Sequence, residues 1–228
     1  MIDIHTHILP EVDDGSKNIT ESLLMIAEEQ RQGITDIILT PHYRAEYRCK
    51  KDIIQTNFDL LKKAVSENGI DVKLYLGQEI FVFNGVADVI KSGRLFTMNG
   101  GKYVLLEFST RQERDIAEAV YTFVSAGFIP IVAHIERYFY ADIAAAKEIR
   151  ELGGLIQINA SSLCHKFGAY KKKATALVKA GLVDFVASDV HFKRRNYMLK
   201  AYNVVVKKFG RETADKLFTE NAKAIINQ

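Results

Sequence analysis

The chain has only two cysteines, Cys49 and Cys164. They offer neither a disulfide framework nor a closely spaced pair of thiolate ligands, and such sparse usage fits a reducing cytoplasm. No apolar run approaches the roughly 20 residues that span a bilayer, so membrane insertion is not expected. No basic stretch, apolar core and cleavage site precede the first strand-like run, which argues against a signal peptide. A formal net charge of +3 is too small to suggest a nucleic-acid partner. The basic clusters at 171–173 and 193–195 are local, and a solvated face explains the first more simply. With 48% hydrophobic and 26% charged residues, disorder is not the default. No linker, repeat or low-complexity tract divides the 228 residues, so one domain, 1–228, is expected, long enough to bury a core without staples.

Short β-branched runs alternate with longer amphipathic segments. Strands are expected at 2–5, 36–40, 72–76, 103–107, 129–133, 155–158 and 185–187. Helices are expected at 19–32, 51–67, 86–92, 113–126, 141–152, 170–180, 197–209 and 212–226. Gly33, Gly69, Gly127, Gly153 and Gly181 each follow an apolar-periodic segment, where a left-handed cap is wanted. This alternation predicts an α/β fold, a parallel sheet with helices outside. Seven units favour a closed or nearly closed TIM-like barrel over an open sheet.

Histidines and acids fall where the strands end. His5 and His7 end the first run; His42 follows the second and Glu79 the third. Glu107 ends the fourth, His134 the fifth, and Asp189 and His191 follow the seventh. Only the sixth, "LIQINASS", lacks an ionizable group, offering Asn159 and Ser161. In a parallel barrel all carboxyl ends converge on one face, where active sites sit. His165 is the one histidine outside this set, in a loop.

Each residue also has a plainer reading, as a core histidine, a helix cap or, for Asp13 or Asp14 before Gly15, a turn. His5/His7 and Asp189/His191 carry more weight, because residues i and i+2 of a strand share a face. So many like charges in one cavity would repel without cations, which points to bound metal. Imidazoles and carboxylates without thiolate suit zinc, manganese, iron or nickel, and the number of donors suits two or three ions.

With these positions in place, the chain resembles the polymerase-and-histidinol-phosphatase (PHP) superfamily of metal-dependent phosphoesterases. "DIHTH", "TPH", "AHIER" and "SDVH" follow its motif order. "MIDIHTHILPEVDDGS", "GQEI", "YVLLEFS" and "TENAKAI" resemble more closely the bacterial PHP-type protein-tyrosine phosphatases encoded with capsule and exopolysaccharide genes. The resemblance covers essentially the whole chain and implies a distorted (β/α)7 barrel holding three metal ions, with manganese favoured. By position it assigns His5, His7, Glu79 and Asp189 to a first metal. Glu79, Glu107 and His134 would hold a second, and Asp14, His42 and His191 a third, with Asp14 preferred over Asp13. It implies phosphate binding by Arg137 and by Arg195, with Arg194 adjacent. A surface ion pair of Arg137 with Glu136 or Asp142 is the plainer alternative.

The resemblance further implies attack of a metal-activated water on phosphotyrosine, with His42 or a water as proton donor. The implied partner is the tyrosine-rich tail of a bacterial tyrosine kinase, in exopolysaccharide regulation. Arg44, Arg48, Lys50 and Lys51 could receive such a tail, or form a solvated loop. The oligomeric state is left open. Three rivals remain: a small-molecule phosphatase of the histidinol-phosphate type, an amidohydrolase-like deaminase, and a non-catalytic phosphotyrosine-binding regulator.

Overall fold

The computed structural model describes residues 1–165 and 167–228. Its strands are β1 (Ile2–Thr6), β2 (Asp36–Leu39), β3 (His42–Tyr43), β4 (Lys73–Leu76), β5 (Glu79–Phe81), β6 (Tyr103–Glu107), β7 (Ile129–Val132), β8 (Leu155–Asn159) and β9 (Phe185–Ala187). The helices are α1 (Ile19–Arg31), α2 (Lys51–Glu67), α3 (Val86–Lys91), α4 (Ile116–Ser125), α5 (Ile143–Glu151), α6 (Ala160–Cys164), α7 (Ala169–Lys179), α8 (Met198–Phe209), α9 (Arg211–Asp215) and α10 (Asn221–Ile226).

All strand pairings are parallel, in the orders β1-β2-β4 and β3-β5-β6-β7-β8-β9. The seven expected runs become nine segments because short strands, β3 and β5, follow the expected ends of the second and third runs after a break. Pro41 cannot donate a ladder hydrogen bond, and residues 77 and 78 lie opposite the break. Hydrogen bonds nevertheless cross it, from Gly77 N–H to the Leu39 carbonyl (2.8 Å) and from Glu79 N–H to that of Pro41 (3.1 Å). At the other end a bridge joins Thr6 to Val190, and Asp189 N–H donates to the His5 carbonyl at 2.9 Å. The parallel sheet is therefore curled, with its first and last strands in contact.

Alternation along the strands separates two apolar layers. Ile37 and Leu39 of β2 and Val104 and Leu106 of β6 pack outward with helix residues such as Phe58, Leu61, Val120 and Leu177. Ile38, Leu105, Ile131, Phe185 and Ala187 pack inward with Ala222 and Ile225 of α10. Both faces are covered, hence the near-continuous apolar runs of the sequence.

Two helices begin later than periodicity suggested because Asp115 and Asp142 act as N-caps, accepting from Glu118 N–H and Ala145 N–H. Such caps hold non-helical backbone. The five glycines expected as helix terminators all have positive φ. The final helix is divided by a π turn, Lys216–Glu220, where the neighbours Leu217 and Phe218 are both buried.

Candidate metal centre

The carboxyl ends of the strands bring the nine expected donors together in four overlapping groups. These are His7, Asp14, His42 and His191; His5, Glu79 and His134; His5, His7 and Asp189; and His42, Glu79 and Glu107. Within each group the ligand atoms lie within 4.8 Å of one another. All nine residues are represented, with His5, His7, His42 and Glu79 shared between groups.

Backbone geometry explains the convergence. His42 sits in register with Glu79 across β3 and β5, and Phe81 with Glu107 across β5 and β6. The shared face of His5 and His7 has a different origin from simple alternation. A register irregularity between Asp3 and Thr6 lets Ile4 join the inner apolar layer while the neighbouring His5 also reaches β8. His134 and Asp189 have positive φ, 33° and 51°, in a region costly for residues other than glycine. Each is tied down there, His134 N–H by Gln157 Oε1 at 2.8 Å and Asp189 N–H by His5.

A surrounding set of hydrogen bonds aims the rings, as is common around ligating histidines. Asp13 Oδ2 accepts from His7 Nδ1 at 2.7 Å, and the Asp189 carbonyl accepts from His191 Nδ1 at 3.1 Å. Gln157 Oε1, already an acceptor from His134 N–H, also accepts from His5 Nδ1 at 3.2 Å. Gln157 Nε2 donates to Asn159 Oδ1 (2.9 Å), and Asn159 Nδ2 to Asp189 Oδ2 (2.7 Å). The hydroxyl of buried Tyr138 lies 3.2 Å from His134 Nδ1 and accepts from Phe108 N–H.

This arrangement fits a cation. With both Nδ1 atoms donating, the Nε2 atoms of His5 and His7 face each other at 3.2 Å, where two lone pairs, or two protons, repel. His42 Nδ1, Glu79 Oε2 and Glu107 Oε2 are buried without a hydrogen-bond partner. His42 Nδ1 and Glu79 Oε2 are only 2.7 Å apart, and His42, Glu79 and Glu107 each offer a ligand atom within the same group. Buried polar atoms are rarely left so. Nitrogen and oxygen donors without sulfur suit divalent ions of the zinc, manganese or iron kind.

Charge at the site is tuned in opposite directions. Burial opposes ionisation of Glu79, but His5, His42 and His134 outweigh it and hold the carboxyl well below its ordinary range. Asp189 is likewise lowered against burial by His7, His5 and His134. Burial, then the charge of Glu79, pushes Glu107 up to about 7. His7 is raised well above an ordinary histidine because Asp13, Asp189 and Glu79 overcome its burial. A field that strengthens proton binding also favours cations.

The expected arginines separate. Arg137 Nη1 donates to Asp189 Oδ2 at 3.3 Å. Among the described residues neither plainer partner forms an ion pair with it: Glu136 is buried, feels the Arg137 charge and accepts from Ser162 and Asn159, while Asp142 caps α5. Burial, then the charge of His7, lowers His191, and the Arg194 charge adds to that lowering. Arg195 lies 5.4 Å over the Tyr197 ring, facing a groove with Gln32 and α8, and among the described residues it makes no ion pair with the nine donors. Arg44, expected either to receive a phosphorylated tail or to lie in a solvated loop, comes within 3.8 Å of Glu107.

Sequence reasoning missed Gln157 and Tyr138 and set Asp13 aside. A lone amide in the apolar strand "LIQIN" was the available signal for Gln157. His165 stays outside the cluster, beside Tyr197. A groove of about 970 Å³ between α3 and α4 contains none of the donors. No helix among the described residues is long and apolar enough to cross a membrane.

A curled parallel α/β sheet with histidines and carboxylates at its strand ends places the fold among the relatives of the TIM barrel. The phosphotriesterase of Mycobacterium tuberculosis shares the fold, with TM-score 0.62 at 11% identity over 99% of this chain and 93% of that one. Residues 1–227 match the family described as capsular polysaccharide synthesis, CpsB/CapC, and the protein belongs to that family. The tyrosine-protein phosphatase CpsB of Streptococcus agalactiae is 36% identical over 238 residues, covering 99% of this chain and 98% of its own. The tyrosine-protein phosphatase YwqE of Bacillus subtilis is 36% identical over 233 residues, covering 99% and 91%. A crystal structure from the pair YwqE of Bacillus subtilis and CpsB of Streptococcus pneumoniae, described as unique metal-dependent tyrosine phosphatases, superposes with TM-score 0.92. Its identity is 35%, covering 100% of this chain and 94% of that one.

Proposed function

We propose that this protein is a metal-dependent protein-tyrosine phosphatase, acting as one domain over residues 1–228. The observation that carries the reading is the convergence of nine histidine and carboxylate donors beside the Arg137 guanidinium, in a chain whose relatives are named tyrosine-protein phosphatases. Counting β2 with β3 and β4 with β5 as single bent strands, the fold reads as a distorted (β/α)7 barrel.

We assign His5, His7, Glu79 and Asp189 to one divalent ion, Glu79, Glu107 and His134 to a second, and Asp14, His42 and His191 to a third, with manganese the favoured metal. Divalent cations at such donors supply Lewis acidity and a water that ionises near neutral pH. Arg137 has one N–H on Asp189 and keeps further donors of its planar fork for phosphoryl oxygens. Asp13, Gln157 and the Asp189 carbonyl hold the Nδ1 protons of His7, His5 and His191, leaving each Nε2 free to ligate. His42 has Nδ1 turned to Glu79 and Nε2 to Asp14, which favours the role of ligand over that of proton donor. A tyrosine leaving group, with pKa of about 10, needs less protonation to depart than a serine alkoxide.

The natural substrate in this reading is the tyrosine-rich tail of a bacterial tyrosine kinase, met in the cytoplasm during capsule or exopolysaccharide synthesis. The test is phosphate release from a phosphotyrosine peptide by the manganese-loaded protein, abolished by chelator and by His134→Ala. Preference for histidinol phosphate would redirect the reading to a small-molecule phosphatase. Full activity after removal of both His5 and His7 would overturn the ligand assignment.

A further inference from the structure

A phosphoryl group presents three oxygens, and Arg137 approaches the donors from the β7 side alone. A second guanidinium arrives from the segment after β3, beside Glu107. Arg44 follows β3 by one residue and opens a tight turn closed by two backbone hydrogen bonds, Arg44 N–H to the Tyr47 carbonyl (3.1 Å) and Tyr47 N–H to that of Arg44 (2.9 Å). The turn lays the Tyr47 ring nearly parallel to His42, at 13° and 5.9 Å, and the Arg44 guanidinium lies 5.7 Å over the same ring. Arg44 is thus braced on an aromatic that itself rests on a donor histidine. Its Nη1 stands 3.8 Å from Glu107 Oε2.

That separation is too long for a hydrogen bond. Among the described residues, the side-chain hydrogen bond that Arg44 donates runs from Nε to Glu46 (3.1 Å), an acid 63% exposed and cheaply displaced. The terminal nitrogens of Arg44 therefore carry donors beside the donor cluster, and the side chain is 33% exposed, within reach of a ligand entering the mouth. Arg195, by contrast, lies over the Tyr197 ring and, among the described residues, makes no ion pair with the nine donors.

We propose that Arg44, held by the 44–47 turn, is the second substrate-binding guanidinium, gripping phosphoryl oxygens beside Glu107 together with Arg137. The inference rests on the phosphatase reading for its reaction but not for its binding step. A forked guanidinium matches phosphate oxygens in a way an ammonium does not, so the same position filled by lysine retains charge and loses the fork.

The test compares wild type, Arg44→Ala and Arg44→Lys, each loaded with manganese. It measures metal content by elemental analysis, affinity for inorganic phosphate by calorimetry, and KM and kcat on a phosphotyrosine peptide. The expected result is unchanged metal content, with KM and the phosphate Kd raised about tenfold or more in Arg44→Ala, as for loss of a hydrogen bond to a charged group. Arg44→Lys is expected to fall between, and it carries the test alone should the alanine variant not fold. Unchanged KM and phosphate affinity would overturn the inference. So would a parallel loss of metal, which would mean that Arg44 only balances the charge of Glu107. An inactive wild type would refute the phosphatase reading, while the phosphate titration would still decide the role of Arg44.

Discussion

Asp13 Oδ2 accepts at once from the ring of His7, at 2.7 Å, and from the backbone N–H of His42, at 3.0 Å. Its neighbour Asp14 does a different job, 40% exposed and reaching His191 Nε2 at 3.3 Å and His42 Nε2 at 3.6 Å. Asp13 is therefore an orienting carboxylate and Asp14 a candidate ligand. Losing the orienting partner of a ligating histidine typically costs about 10–100-fold in metal affinity. Asp13→Asn is expected to weaken manganese binding by that order while retaining the fold; an unchanged titration would show that His7 needs no such partner.

Gly15 packs against His7 so closely that a Cβ there would collide with the His7 carbonyl oxygen and Cβ. Backbone contacts of this kind cannot yield by rotating a side chain. Gly15→Ala is expected to destabilise the protein by about 1–3 kcal/mol, the usual cost of overpacking, and to lower metal occupancy. Thermal melting with and without manganese checks both; a melting curve matching the wild type would contradict the close approach.

Gln157 serves two donor residues and passes a bond to Asn159. Gln157→Leu would strand the buried His134 N–H and Asn159 Oδ1, at about 1–3 kcal/mol for a group left unsatisfied. The expected outcome is lower stability together with weaker metal binding. A stability loss with intact metal affinity would assign Gln157 to the fold alone.

Behind the site, Asp3 and Glu29 are both buried, each with one carboxylate oxygen lacking a hydrogen-bond partner. Burial raises Asp3 to about 6, and burial with the charge of Asp3 raises Glu29 well above its ordinary value. In both, the folded state holds protons more tightly than the unfolded one. Their contribution is greatest below the unfolded pKa, near 4 for Asp and Glu, and is lost as pH rises through the folded values. Glu29→Gln keeps the acceptor for Asn196 Nδ2 and removes one charge. Its stability relative to wild type, read from urea midpoints between pH 4.5 and 8, is expected to increase with pH. A constant difference would rule out the raised pair.

Ions that bind only the folded state stabilise it by mass action, so manganese is expected to raise the melting temperature and a chelator to lower it. Two or three ions per chain are expected from elemental analysis. A melting temperature indifferent to both would leave the buried Glu79 and Glu107 carboxylates without their proposed partner.

Much of the site could be read from the chain because it obeys a simple rule: donors stand at strand ends, and parallel strands deliver their ends to one face. His134 after "IPIVA" and Glu107 after "YVLL" were visible in this way. Less legible are two neutral residues that act through others and one cation whose placement the chain leaves open. Gln157 is one amide in an apolar strand, Tyr138 resembles core, and Arg44 resembles a solvated loop until the turn to Tyr47 folds it back.

The sequence by itself determined the alternation of strands and helices, the helix-terminating glycines and the inventory of candidate donors, because these depend on local periodicity and on backbone preferences a few residues long. Only the tertiary structure decided which donor atoms share a group, that Asp13 orients while Asp14 faces the cluster, and that Arg44 rather than Arg195 stands beside Glu107. Those outcomes turn on contacts between segments far apart in the chain, where a bulge in β1, a break at Pro41 and a positive φ at His134 redirect side chains by more than any local pattern encodes.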